Sequence, residues 1–385
     1  MKVRSAKQNF SPPTLQVIAE KAHVSRETVS HILGGRLSGR YREETRKRVI
    51  QIAEQLNYRP HRGAQAMKSG RSNLIAIVHF GAGIEAAHKT NLELARLVNE
   101  RGYDYLAMDR NWYGGSMERT LEEIIRARVE GVLVSHIQEV FEDEHIERLQ
   151  RFGIPVVSVN GVHRRKVPLF ANDAEKSVKA LTRHLLDVGH RRIVQLIASL
   201  EGLDLERVPA VTGKVDGFRT AIEERGRWIL TDEEKFFSGG IPWAEGAPGG
   251  DVLGVTIQQN RDLYDRVDKP VYRFCDRLFP TGELPDAIVC MNDLYALEAI
   301  AAGLEHDVRV PRDLAVTGYD NDRMGEFPAF GLTTVEQDIE AICRAAMEAL
   351  MTRIAHPEEP VADRFFESRI IIRSSSGKAK SRGFR

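Results

Sequence analysis

Arg26, Glu27, Thr28, Ser30 and His31 crowd guanidinium, carboxylate, hydroxyl and imidazole groups into six consecutive positions. The chemistry they offer is hydrogen bonding to base edges and phosphates. Arginine pairs bidentately with guanine, glutamate accepts from cytosine N4, and hydroxyls reach phosphate oxygens. To act together these side chains must stand on one helix, and the flanking residues supply it. Leu15, Ile18, Ala19 and Ala22 recur at i, i+3, i+4, i+7 behind Thr14, a capping residue that follows Pro12-Pro13. His23-Val24 breaks that helix, and Ser25 caps a second in which Val29 and Leu33 turn inward. After the Gly34-Gly35 and Ser38-Gly39 breakers, Val49, Ile52, Ala53 and Leu56 repeat the spacing in a third helix, which Pro60 ends. Two helices crossing on Ala19 and Ala22 have the form of a helix-turn-helix, whose second helix can lie in a DNA major groove. A plain helical hairpin is the alternative.

Charge separates these alternatives. The chain of 385 residues has a net charge of zero, yet residues 1–72 hold 15 Lys+Arg against 5 Asp+Glu. A head at +10 on a body at −10 implies that the head alone meets a polyanion. At this length two or three domains are expected, and 42% hydrophobic residues suffice for ordinary cores. No apolar run reaches the roughly 18 residues of a membrane helix, and Met1 to Pro13 lacks the apolar segment of an export signal. Cys275, Cys290 and Cys343 are far apart and read as free buried thiols of a cytoplasmic protein.

From Leu74 the pattern changes to apolar runs alternating with helical stretches. Strands are expected at Leu74–Phe80, Tyr103–Met108, Gly131–Ser135, Pro155–Val159, Arg192–Ile197, Ala287–Met291 and Leu314–Gly318. Such alternation builds parallel sheets, and its length implies two α/β lobes with a cleft between them. The expected fold class is therefore a small all-α helix-turn-helix head plus an α/β body of two parallel-sheet lobes. Gly239 to Gly250 has loop composition, and the Ser/Gly/Lys/Arg-rich tail from Arg373 to Arg385 reads as disordered.

The run from Thr14 to Ser72 resembles the DNA-binding head of the lactose-repressor (LacI) family. After the helix-turn-helix come Glu43-Glu44-Thr45-Arg46, then Leu56-Asn57-Tyr58-Arg59-Pro60, then a short hinge. In the body, Gly189-His190-Arg191-Arg192-Ile193, Pro285–Asp293, Val310–Asp320 and Leu332-Thr333-Thr334-Val335 are similar to the family's landmarks, in order. The resemblance implies a periplasmic-binding-protein-like body and the following division. Residues 14–58 form the DNA-binding domain and 59–72 the hinge. Residues 73–172 with 339–365 form the N-terminal effector-binding subdomain, 173–338 with 366–373 the C-terminal one, and 374–385 a basic tail.

It further implies a transcriptional regulator, expected to be a repressor, that binds double-stranded DNA at a palindromic operator as a homodimer under control of a small molecule. Arg26, Glu27 and His31 fall on base-reading positions, while Ser25, Thr28 and Ser30 look phosphate-facing. Met67 stands where the family wedges an apolar side chain into the minor groove. Gln65 replaces a usual arginine, His23 a usual glycine and Arg42 a usual cap, so a frayed start is expected for the third helix. Carrying the cleft positions across gives Phe80, Asn160, Lys214, Asn292 and Asp320, to which Trp243 adds a ring able to stack on a sugar. Oxygens of Asp320 and Asn292 suit ligand hydroxyls, which favours a carbohydrate-like effector. Lys214 replaces a common arginine clamp, and Gly239–Pro285 is longer than the usual connection.

Other motifs offer rivals. Gly81-Ala82-Gly83-Ile84-Glu85-Ala86 after a strand reads G-x-G-x-x-A, with Asp104 and Asp109 downstream, as in an NAD-binding enzyme bearing a helical appendix. Against it stand the basic head before and the family landmarks after, so no enzyme and no cofactor is expected. No GxSxG elbow, HExxH or Walker A loop occurs. His136 and His145 near Glu142-Asp143-Glu144 imitate a metal cluster, but they read as surface histidines beside a helix's acidic first turn, and no metal is expected.

Overall fold

In the head, Thr14 accepts from the Val17 amide and opens α1 (Leu15–Ala22), and Ser25 accepts from the Thr28 amide and opens α2 (Arg26–Leu33). A computed structural model describes residues 13–34, 40–58, 71–79, 85–109, 117–136, 142–161, 163, 166–200, 209–225, 227–232, 251–259 and 269–377. These residues fall into two units, Met1–Ser72 and Asn73–Arg385. In the first unit, His23 turns the chain between α1 and α2 at φ 49°, and the Val24 amide closes on Ala19 O at 3.0 Å. Arg42 precedes α3 (Glu43–Gln55) without a side-chain cap. Ile18, Ala19, Ala22, Val29, Val49 and Ala53 are buried together, which leaves the charged faces of all three helices in water.

The second unit alternates strands and helices as the periodicity requires. Its first part runs β1 (Leu74–His79), α4 (Glu85–Glu100), β2 (Asp104–Asp109), α5 (Met117–Ala127), β3 (Gly131–Ser135), α6 (Asp143–Arg151), β4 (Val156–Val159) and β5 (Leu169–Asn172). The second runs α7 (Ala174–Val188), β6 (Ile193–Leu200), α8 (Pro209–Glu223), β7 (Arg227–Asp232), β8 (Asp251–Gln259), α9 (Pro270–Leu278), β9 (Ala287–Cys290), α10 (Asp293–Glu305) and β10 (Ala315–Thr317). The chain closes with β11 (Thr334–Glu336), α11 (Ile339–Ala355), β12 (Arg364–Phe366) and β13 (Arg369–Ile371).

Two wholly parallel sheets result, ordered β12-β5-β4-β3-β1-β2 and β10-β9-β6-β8-β7, with β11 and β13 pairing antiparallel beside them. Each sheet is apolar on both faces because side chains alternate along a strand. In the first, Ile75, Ile77, Leu133 and Val157 pack under α11, while Ala76, Val78, Val132 and Val156 pack with Leu121, Ile146 and Leu149 of α5 and α6. In the second, Val194, Leu196, Ile288 and Cys290 face α9 and α10, whereas Ile193, Ala287 and Val289 face α7 and α8.

Helices α7 and α8 touch through Gly217, where a Cβ would stand 2.2 Å from the carbonyl oxygen of Glu175. Backbone cannot yield as a side chain can. Gly217→Val is expected to destabilise the body by about 3 kcal/mol, read as a lower urea midpoint at constant slope.

Three expectations change. Residues 374–377 are ordered by their own hydroxyls. Ser375 Oγ donates to Val316 O at 2.6 Å and accepts from the Thr333 amide, and Ser376 Oγ meets Thr333 Oγ1 at 2.7 Å and His184 Nε2 at 2.9 Å. Serine-rich composition reads as disorder only where no partner waits for the hydroxyls; 378–385 lie outside the described residues. The stretch after Gly250, which lies in the long Gly239–Pro285 connection where no strand is expected from sequence, contains β8, which pairs with both β6 and β7 inside the second sheet. His136 is not a surface histidine. It ends β3 at φ 53° with Nε2 3.1 Å from Thr90 Oγ1, and burial followed by the Lys214 charge pushes its pKa down to about 4. His145 instead accepts at Nδ1 from the Glu142 amide in a capping box. No group of acids, histidines and cysteines among the described residues is arranged to hold a metal. Cys275, Cys290 and Cys343 are free and buried.

Candidate nucleic-acid interface and ligand cleft

On α2 the polar residues stand out from the helix because Val29 is fully buried on its other side. Arg26 and Glu27 are exposed, and Thr28, Ser30 and His31 are half-buried. Ser25 Oγ serves the helix as well as any partner, since it accepts from the Thr28 amide at 3.1 Å and meets Thr28 Oγ1 at 2.9 Å. His31 has a partner that periodicity could not reveal: Nδ1 lies 2.8 Å from Tyr41 Oη, and Nε2 lies 3.9 Å from Glu27 Oε1. Met67 lies outside the described residues.

In the body the polar groups gather at the carboxyl ends of the strands, where α/β sheets bind ligands. Asn160 follows β4 at φ 48°. Its Nδ2 donates to Gln337 Oε1 at 3.1 Å, and its Oδ1 accepts from the Asn172 amide at the end of β5. Gln337 in turn donates from Nε2 to Asp320 Oδ1 at 2.6 Å, just after β10. Asn172 also donates to the buried hydroxyl of Tyr319. One glutamine and one tyrosine thus join the strand ends of the two sheets.

Lys214 of α8 completes this junction. Its Nζ donates to Met291 O at 2.6 Å and stands 3.8 Å from the centroid of the Tyr319 ring. Burial lowers the lysine pKa, while Asp320 and then Asp293 oppose the shift. Burial raises Asp320, and Lys214 and the Gln337 bond hold it down. Asp293 is fully buried, accepts from Thr334 Oγ1 and from the Asp322 amide, each at 2.6 Å, and is pushed by burial up to about 8. Asp322 is pushed up to about 7 by burial and by Asp320. Lys214 therefore faces Asp320 and Asp293, and Lys89 faces Asp320 and Asp322, in a place of low polarity, which raises the stakes of every charge there.

Asn292 also serves the helix that follows it. Its Oδ1 caps α10 by accepting from the Tyr295 amide at 2.8 Å, so only its amide nitrogen is uncommitted to the helix end. Phe80 and Trp243 lie outside the described residues, as do Gly81–Ile84 of the G-x-G-x-x-A motif. A groove of about 740 Å³ lined by Arg353, His163 and Pro360 opens at the amino ends of the first sheet's strands, away from all of these groups.

Residues 14–61 match the profile of the family described as bacterial regulatory proteins, lacI family. Residues 182–376, half the chain, match the periplasmic binding protein-like domain, and 90–235 match the periplasmic binding proteins and sugar binding domain of the LacI family. The chain belongs to the LacI family. It is accordingly a DNA-binding transcriptional regulator with a small-molecule-binding body.

Relatives align end to end with this LacI-family chain. An uncharacterised HTH-type transcriptional regulator from the aml 5′ region of Streptomyces limosus is 29% identical over 375 residues, 95% of each chain. The HTH-type transcriptional repressor PurR of Mannheimia succiniciproducens is 26% identical over 374 residues, covering 95% of this chain and 99% of that one. The fold is that of the Lac repressor dimer bound to operator and the anti-inducer ONPF, with a TM-score of 0.74 at 18% identity over 95% of this chain and all of the other. The transcriptional regulator CelR in complex with cellobiose has a TM-score of 0.59 at 22% identity, covering 94% of this chain and 99% of that one.

Of the LacI-family positions carried over from sequence, Asn160, Lys214 and Asp320 meet in one network, and Asn292 stands at its edge. Gln337, Tyr319, His136 and Asn172 are the members that sequence reasoning left out. All four end or follow strands, which is the signal that could have found them; Gln337 comes directly after β11, a short strand that the apolar runs did not mark.

Proposed function

We propose that this regulator is a repressor that holds a palindromic operator as a homodimer. Its affinity is set by a polyhydroxylated, sugar-like molecule bound where the strand ends of the two lobes meet. The observation that carries the reading is the outward polar face of α2 on a head whose sequence holds 15 basic against 5 acidic residues. In it Arg26, Glu27 and His31 read bases, Ser25, Thr28 and Ser30 meet phosphates, and Met67 is the minor-groove wedge. Asn160, Lys214, Asn292 and Asp320, with Phe80 and Trp243, form the effector site. Names of the relatives support the reading: PurR is a repressor, the Lac repressor structure is a dimer on operator, and CelR holds cellobiose. Effector binding that favours one arrangement of the lobes needs a coupling of about 1–3 kcal/mol to change operator affinity by about 5- to 150-fold.

Selection of bound DNA from a random pool by full-length protein tests this. The expected product is a palindrome with half-sites about one helical turn apart. Affinity should fall with salt by about 0.9 in log–log slope per phosphate contact. Arg26→Ala is expected to lose about 1–3 kcal/mol of discrimination at one position of each half-site. If folded dimer enriches no sequence at low salt, with or without a panel of sugars, the reading fails.

A further inference from the structure

The pairing of His31 with Tyr41 carries more than packing. His31 lies in the last turn of α2, and Tyr41 lies two residues before α3. Their rings are 6.3 Å apart and tilted by 39°, with Nδ1 and Oη at 2.8 Å. On the other side of the imidazole, Nε2 faces the Glu27 carboxylate at 3.9 Å; the His31 side chain is 18% exposed and Glu27 80%. A neutral imidazole has one N–H and one lone pair, and the partner of one nitrogen decides what the other presents. With the proton on Nδ1, Tyr41 would accept and the Nε2 lone pair would point at a negative carboxylate. With the proton on Nε2, Tyr41 donates to Nδ1 and the N–H points at that carboxylate. Both contacts are then attractive.

We propose that Tyr41 is the positioning residue that fixes His31 as an Nε2–H donor, and that His31 therefore reads guanine. This rests on the reading above that His31 faces DNA. Guanine offers two adjacent acceptors, N7 and O6, on its major-groove edge, whereas adenine sets a donor beside N7, cytosine offers a donor, and thymine offers the single acceptor O4 beside its methyl group. An imidazole free to hold its proton on Nδ1 would present an acceptor and tolerate adenine or cytosine. Without the tyrosine hydroxyl, His31 samples both forms and the half-site position becomes degenerate.

The test is DNA selection by four full-length proteins: the parent, His31→Ala, Tyr41→Phe and Tyr41→Phe with His31→Arg. The parent is expected to select guanine at one position of each half-site, and His31→Ala to lose that preference. Tyr41→Phe keeps the ring but is expected to weaken guanine selection at this position alone by about threefold to tenfold, the scale of one hydrogen bond. Arginine, which only donates, is expected to restore it in the Tyr41→Phe background. Nitrogen-15 spectra of the His31 ring give an independent reading in the free protein. Nε2 should be protonated and Nδ1 not in the parent, with the two nitrogens averaged in Tyr41→Phe.

If His31→Ala changes a position that Tyr41→Phe leaves untouched, the role of Tyr41 is overturned while the DNA-reading helix stands. A parent found protonated on Nδ1, or selecting adenine or cytosine there, overturns it equally. If His31→Ala alters no position, the assignment of His31 as a reader falls first and this inference with it.

Discussion

Lys214→Met is expected to destabilise the body by about 3 kcal/mol at pH 7, and Lys214→Met with Asp320→Asn to recover most of that loss. The Lys214 ammonium faces Asp320 and Asp293 at the strand ends and donates to Met291 O; Lys89 is a second cation acting on Asp320. Removing one member of a buried charge set leaves the others without compensation, which costs more than the set contributed when complete. Methionine keeps the length and apolar stem of the lysine, so lost packing is a minor part of the effect. A double-mutant cycle on urea unfolding isolates the coupling between the two positions. If the double variant is as unstable as Lys214→Met, the two charges are not coupled and the lysine acts through Met291 O and the Tyr319 ring alone. The same single variant is expected to abolish any effector response while leaving sequence-specific DNA binding by the head in place.

The second large effect is a dependence on pH. Asp293 and Asp322 are raised by burial to about 8 and about 7, above the value both would have in the unfolded chain. Between those limits the folded state holds protons that the unfolded state has lost. Its stability from these groups is therefore greatest in acid and falls as pH rises through the folded values. His136, lowered to about 4, acts in the opposite sense below its ordinary value of 6.5, so the acid side of the curve is a balance of the two. Lys214, which burial lowers, works against the aspartates toward alkaline pH. Between pH 6.5 and 8 the aspartates dominate, and unfolding free energy is expected to drop by about 2 kcal/mol. Asp293→Asn should remove most of that slope, because the amide keeps an oxygen for the Asp322 amide and can donate to Thr334. A melting temperature that is flat across this window in the parent would show that Asp293 is ionised in the folded protein.

The head was legible in the sequence because its determinants are local. Thr14 and Ser25 cap the helices they precede, and the apolar spacing of Ile18, Ala22, Val29 and Val49 marks the shared core. Tyr41 was not, since its partner stands ten positions away and neither residue breaks any periodicity. In the body, strands β1, β3 and β4 follow from unbroken apolar runs buried on both faces, whereas the edge strand β2 leaves Tyr105 and Ala107 exposed. By contrast β8 was lost to the glycine-rich composition just before it and to Gly254 within it. Strand β12 was lost because Arg364 and Phe365 are exposed at the sheet edge. The polar network at the strand ends was half legible. Asn160, Lys214 and Asp320 follow recognisable strands or a recognisable helix, but the side chain that joins two of them is Gln337, which reaches both only after α11 and β11 have brought it across from the end of the chain.

The first sheet takes five strands from the start of the body but its edge strand β12 and its covering helix α11 from the far end of the chain. A ribosome therefore releases every strand of the second sheet before the first can close. Until Ile342, Met347 and Leu350 emerge, Ile75, Ile77, Leu133 and Val157 are covered on that side by Leu94, Leu97 and Val98 of α4 alone, and the nascent chain carries a partly open hydrophobic face through most of its synthesis. A stop codon just beyond β11 would leave the head and every strand of the second sheet in the product. That product would still be a substrate for chaperones and proteases, because the truncation removes the lid of the lobe that was made first.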